Sequence, residues 1–136
     1  MRSACPLNFG LEQFGDKWSL LILRDMMFFD KRYYNEFLSS EEAISTNILA
    51  DRLLMLEKEE LITKQKDTGH KQRIRYSLTE KAIDLLPVIL EIGLWSDKHA
   101  GKLITPEKAF FLVEVKKDRE TGMKKITDKL RNDHIL

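Results

Sequence analysis

Residues 44–58 read ISTNILADRLLMLEK, and this stretch decides the fold. Ser45 suits a helix N-cap, because its hydroxyl can accept from a backbone N–H that has no partner inside the helix. Ile44 before it and Leu49 after it occupy the two positions of a hydrophobic staple. Leu49, Leu53 and Leu56 then recur at spacings of four and three, so they share one side of the helix. Asn47, Asp51 and Lys58 point the other way, with Thr46 and Ala50 flanking. The predicted helix buries a leucine stripe and offers a mostly polar face that begins at its N-terminal end.

The flanking segments give this helix its context. Upstream, residues 34–39 predict a short helix, and Glu41, Glu42 and Ala43 a turn. A short helix, a turn and a capped helix make a helix-turn-helix. Asp30, Lys31 and Arg32 read as an earlier turn; Lys31 and Arg32 are open to two readings, DNA-backbone contacts or a solvated turn. Before that, Asp16 can cap a helix through Trp18, Leu21 and Ile22 to about Met27, apolar nearly all round and so expected at the centre. Cys5 and Pro6 mark the start of a first helix, with Leu7, Leu11 and Phe14 on one face and Gly15 at its end.

Downstream, the period changes. Residues 62–65 predict a short strand, and Asp67, Thr68 and Gly69 a turn. In residues 73–78, Ile74, Tyr76 and Leu78 alternate onto one side. The result is a β-hairpin directly after the helix-turn-helix, the position of a wing. Thr79 caps a long helix expected to run from Glu80 to about Ala100, with Ala82, Ile83, Leu86, Leu90 and Leu94 on its apolar side and a kink at Pro87. Thr105, Pro106 and Glu107 start a further helix carrying Phe110 and Phe111, which Gly122 is expected to break. Residues 123–136 predict only a loose helix. The fold class is mainly α with a small β-hairpin: a winged helix-turn-helix with added dimerisation helices. Residues 1–100 form the DNA-binding domain with its dimerisation helices, and 101–136 a C-terminal helical extension of it.

Charge assigns a task to this arrangement. The 136-residue chain has a formal net charge of only +1, so a nucleic-acid binder must concentrate its positive charge. The hairpin does so. Lys64, Lys66, Lys71, Arg73 and Arg75 stand against the single acid Asp67 between residues 63 and 76, a local net of +4. His70 adds a donor. A helix N-terminus presents unpaired N–H groups and a positive dipole end to phosphates, and the major groove admits one helix. Expected DNA contacts are therefore Ser45, Thr46, Asn47, Asp51 and Arg52 from the helix, with Lys66, His70, Lys71, Arg73 and Arg75 from the hairpin. Arg52 flanks the leucine stripe, which leaves a phosphate contact and an internal ion pair both open. The competing view of the hairpin is a solvated edge that uses lysines against aggregation.

Other classes find little footing. The three histidines lack metal-ligand spacing, no glycine-rich phosphate loop or nucleophile elbow occurs, and neither enzyme activity nor a cofactor is expected. One cysteine excludes an intrachain disulfide. No stretch approaches the ~20 apolar residues of a membrane helix, and residues 1–6 lack the apolar run of a signal peptide. A cytoplasmic location with no membrane partner is expected.

Cys5 and Pro6, the run 15–23 (GDKWSLLIL), residues 34–37 (YNEF), Ile44 and Ser45 through Leu49, Arg52, Leu53, Leu56, Leu61, Ile62 and the run 75–80 (RYSLTE) together resemble the HxlR-type branch of the MarR-like regulators. The resemblance spans roughly residues 5–98. It implies a winged-helix homodimer that binds operator DNA, usually as a repressor and sometimes as an activator. It also departs at Ala43, Glu60 and Ala82, where the family usually has glycine; the turn at Glu60 favours a left-handed residue.

The resemblance further implies that Cys5 can sense oxidants or electrophiles. Its position at a helix start fits, since the dipole there lowers a thiol pKa; the alternative is a small buried hydrophobe. The partners expected are double-stranded DNA, a second copy of the chain and a small-molecule or oxidant effector. Leu7, Leu11, Leu90, Leu94, Trp95, Phe110 and Phe111 are the expected dimer interface. A winged-helix protein-interaction module without a DNA role is the rival reading.

Overall fold

Two side-chain caps set the frame of the N-terminal half. In the computed structural model, which describes residues 3–69 and 73–135, Asp16 Oδ1 accepts from Ser19 N at 3.0 Å and Ser45 Oγ from Ile48 N at 3.2 Å. Each starts a helix where the backbone has no partner of its own to offer. The chain divides into two compact units, Met1–Ala82 and Ile83–Leu136.

The first unit holds α1 (Pro6–Phe14), α2 (Lys17–Phe28), α3 (Tyr34–Leu38), α4 (Thr46–Lys58), β1 (Ile62–Lys66) and β2 (Ile74–Leu78). Its core is made by Ile22, Leu23, Met26 and Met27 of α2, Phe37 of α3, the stripe Leu49, Leu53 and Leu56 of α4, and Leu61, Ile62 and Leu78 at the base of the hairpin. Ile44 is buried beside the start of α4, as the staple requires. The strands are antiparallel, with Ile62 opposite Leu78 and Lys66 opposite Ile74. Burial falls along the hairpin from Leu78 to an exposed Ile74, so only its base is anchored by packing.

Two turns around α4 require left-handed backbone. Ala43 has φ 58° and Glu60 φ 61°, a region where Cβ meets the neighbouring carbonyl. These are two of the three positions where the resemblance noted above departs at an expected glycine. At Glu60 the strain accompanies a fixed helix end: Thr79 Oγ1 donates to Glu60 O at 2.7 Å.

The long helix expected from Glu80 is not continuous. It is two helices, α5 (Glu80–Ile83), which straddles the boundary between the units, and α6 (Leu86–His99), with Pro87 in the first turn of α6. Proline has no N–H to give Ile83 O, and its ring crowds that carbonyl. The outcome is a break before Pro87, where the sequence suggested a kink. Thr79 does cap α5, accepting from Ala82 N at 3.2 Å.

The second unit continues with one-turn 3₁₀ segments at Gly101–Leu103 and Phe110–Leu112, then α7 (Val113–Lys117) and α8 (Arg119–His134). Gly122 does not break a helix. Asp118 does, extended at φ −155° and capping α8 through Thr121 N. Gly122 lies inside α8, where a Cβ would come within 2.7 Å of Val115 N; glycine there lets α8 close onto α7. The loose helix expected at the end is the last part of the 16-residue α8. Leu90, expected at the dimer interface, is fully buried within the chain. It lies on the same side of α6 as Leu86 and has no surface to offer a partner.

Among the described residues no helix is long and apolar enough to cross a membrane.

Candidate nucleic-acid interface

The outward side of α4 is built by the inward one. With Leu49, Leu53 and Leu56 buried, the 3.6-residue period turns Asn47, Ala50, Asp51, Leu54 and Lys58 outward, and all five are exposed. Ser45 and Thr46, at the N-terminal end, are exposed as well. Ser45 Oγ caps the helix, so its hydroxyl is already engaged there. Tyr34 of α3 donates its hydroxyl to Thr46 O at 3.1 Å, which ties the start of α4 to the preceding helix.

Arg52 forms the ion pair, one of its two open roles. Its Nε donates to Asp16 Oδ1 at 2.9 Å, and its guanidinium also holds Asp51. Burial pushes the Asp16 carboxyl up, but hydrogen bonds from Ser19 and Arg52 bring it net below its ordinary value. One carboxylate therefore caps α2 and braces α4. Asp51 is exposed on the outer face, as expected, yet its partner is Arg52.

A second brace went unread in the sequence. Asp25 of α2 is buried, and Arg24 donates to its Oδ1 from Nε and Nη2 at 3.0 and 2.7 Å. The same guanidinium forks onto both oxygens of Glu42, at 2.7 and 2.9 Å. The hydrogen bonds from Arg24 hold the Glu42 carboxyl down at about 2. Lys31 Nζ lies 3.5 Å from Asp25 Oδ2 and 3.3 Å from Ser40 Oγ, and the Ser40 hydroxyl donates to Asp25. This cluster joins α2 to the turn that sets the angle of α4. Lys31 is thus engaged within the protein rather than solvated at a plain turn. The available signal was Arg24 and Asp25 in a helix otherwise apolar.

Arg32 is also internal. Its Nε donates to Tyr76 O and its Nη2 to Ser77 Oγ, both at 2.6 Å, while Tyr76 N donates back to Arg32 O at 2.8 Å. Tyr33 bridges to Arg75, so the segment before α3 flanks the free edge of β2. The Tyr33 hydroxyl donates to Asp67 Oδ2 at 2.8 Å, and the Arg73 guanidinium lies 3.8 Å from the centre of the Tyr33 ring and 3.7 Å from Asp67. These contacts hold the outer hairpin where apolar packing has run out. Lys66, Arg73 and Arg75 are exposed. His70 and Lys71 lie outside the described residues.

Helix, turn, capped helix with an outward polar start, and basic hairpin therefore stand within one unit. Residues 13–103 match the HxlR-like helix-turn-helix family. The chain belongs to the HxlR family of transcriptional regulators. Of its relatives, the HTH-type transcriptional regulator YdeP of Bacillus subtilis strain 168 is 30% identical over 105 residues, 77% of this chain and 81% of YdeP. YodB from the same organism is 32% identical over 95 residues, 69% and 84% of the two chains. Among solved structures, the redox regulator HypR in its oxidized form superposes with a TM-score of 0.63 at 27% identity, over 70% of this chain and 97% of HypR.

HxlR-type proteins are DNA-binding winged helix-turn-helix regulators, not enzymes. The match ends at residue 103, so α7 and α8 lie outside it. Cys5 precedes the matched span. It is exposed, at the N-cap position of α1, which sets aside the reading of a buried hydrophobe.

Proposed function

We propose that this HxlR-type protein is a sequence-specific repressor that binds a pseudo-palindromic operator as a homodimer in the cytoplasm. The observation that carries the reading is the exposed start of α4, Thr46 and Asn47, in the same unit as the exposed cations Lys66, Arg73 and Arg75. Phosphate contacts from the hairpin position the protein, and side chains of α4 read base edges. Lys71 and His70 extend the hairpin contacts. A protein-interaction module would instead favour an apolar hairpin.

Dimerisation follows from surface that one copy leaves open. In the first unit, α1 buries none of its residues, and Leu7 and Leu11 are 71% and 54% exposed. In the second, Trp95 is 66% exposed, Phe110 is exposed, and Leu94 and Phe111 are half-buried. A second copy covers these residues, and two recognition helices then read two half-sites. HypR is a redox regulator. By extension we assign Cys5 as the site where an oxidant or electrophile alters DNA binding.

Selection of binding sites from random-sequence duplex DNA tests the reading. The wild type is expected to enrich an inverted repeat. Asn47→Ala is expected to lose roughly 1–3 kcal/mol of discrimination at one base pair per half-site. Enrichment of no sequence would remove the function; uniform weakening by Asn47→Ala would make Asn47 a phosphate contact.

A further inference from the structure

The outer face of α4 carries one large apolar side chain that is left mostly exposed. Leu54 is 64% exposed. It lies seven residues beyond Asn47 and four beyond Ala50, so all three share the outward side. Polar or charged residues, Asn47, Asp51 and Lys58, surround it on that face. Toward the hairpin, Ala50 and Leu54 form one wall of a cleft of about 230 Å³, whose other sides include Tyr34, Lys64 and Tyr76. A scattered exposed leucine needs no explanation. This one sits with Ala50 on the face that the proposed function assigns to base edges.

Resting on that reading, we infer that Leu54, supported by Ala50, is a specificity-determining residue that recognises the 5-methyl group of thymine in the major groove. That methyl is the one apolar group the groove edge presents. A cytosine in its place would bring an amino group against an aliphatic side chain unable to accept its hydrogen bond, and leaving a donor unpaired is costly. Leu54 therefore favours thymine by attraction and disfavours cytosine by desolvation. Asn47 and Leu54 are about 10 Å apart along the helix axis, so they address different base pairs. Lys58 is exposed on the same face, while Lys64 at the cleft is paired with Glu57 at 3.5 Å, so the patch itself is close to neutral and suits an apolar group on the base edge.

The experiment uses the duplex that the full-length protein selects from a random pool. Each thymine is replaced singly by uracil, which removes the methyl and nothing else. Wild-type binding is expected to weaken about three- to tenfold at one or more positions, the value of burying one methyl against a side chain. Leu54→Ala is expected to bind thymine and uracil duplexes alike at those positions while keeping the preference that depends on Asn47. That retained preference also reports a folded protein. Leu54→Met, which keeps apolar reach, should retain the discrimination. The inference is overturned if the wild type ignores every uracil, or if Leu54→Ala remains as sensitive to uracil as the wild type. A pool that yields no selected sequence would sink the DNA-reading function first, before any uracil is introduced, and this inference with it.

Discussion

At the scale of single residues, the helix-turn-helix is held by two carboxylates, each bound to an arginine of another element. Asp16 caps α2 and receives Arg52 of α4. Glu42 receives the Arg24 fork immediately before α4 begins. The Glu42 carboxyl is held at about 2, against an ordinary value of 4.5, chiefly by Arg24. Its folded pKa is depressed, so its contribution is fully present above 4.5 and is lost as pH falls towards 2. Chemical denaturation of wild type and Glu42→Gln should show the variant less stable at neutral pH, with a shallower loss of stability across that window. Equal acid limbs for the two proteins would show that the pair contributes nothing to pH-dependent stability.

The left-handed residues are a second test at this scale. Ala43 and Glu60 have a Cβ where the backbone favours glycine. Ala43→Gly and Glu60→Gly should each raise stability by up to about 1 kcal/mol, since relief of strain exceeds the added chain entropy. Glu60 was legible in the sequence as the family's missing glycine at a turn. Asp30, also left-handed at φ 54°, was not, because its neighbours Lys31 and Arg32 read as ordinary turn residues; Lys31 turns back onto the buried Asp25 of α2, and Arg32 onto Tyr76, far away in sequence.

At the scale of elements, local signals decided what local chemistry decides. Caps at Asp16, Ser45 and Thr79, the staple at Ile44 and the leucine period placed α2, α4 and the start of α5 closely. The hairpin followed from alternation and a glycine turn. Legibility failed where two elements meet. Gly122 reads as a breaker in one dimension; in three, it is where α8 closes onto the backbone of α7. Gly122→Ala should therefore destabilise the second unit, even though alanine is the better helix former. Hydrogen exchange along α7 and α8 would report it, and unchanged protection would mean that the helices can shift at little cost. The flanking role of Tyr33 beside β2 was likewise invisible, since one isolated bridge leaves no sequence period.

The hairpin also divides its cations by role. Arg73 is engaged with Tyr33 and Asp67, and Lys64 lies 3.5 Å from Glu57 of α4. Lys66 and Arg75 are exposed. Lys66→Ala with Arg75→Ala should weaken binding to all sequences alike and shallow the log–log salt dependence by roughly 0.9 per lost phosphate contact. Arg73→Ala should in addition loosen the hairpin. A salt slope indifferent to the Lys66 and Arg75 pair would take those two residues out of the interface.

At the scale of the whole molecule, the proposed function needs two copies on one operator. One recognition helix spans only a few base pairs, so a lone copy would discriminate weakly. Leu94→Ala with Trp95→Ala should shift sedimentation towards the monomer and weaken operator binding in parallel, with circular dichroism little changed. The proposed dimer surface was only partly legible: the sequence put Leu90, Leu94 and Trp95 together but could not say that Leu90 turns inward while Trp95 turns out. The most direct measurement is a hydroxyl-radical footprint of the wild type on its selected duplex. Two protected half-sites related by a two-fold axis, with centres about 34–36 Å apart or a multiple of that, are expected. A single protected half-site at saturation, from a protein that sediments as a monomer, would contradict the account.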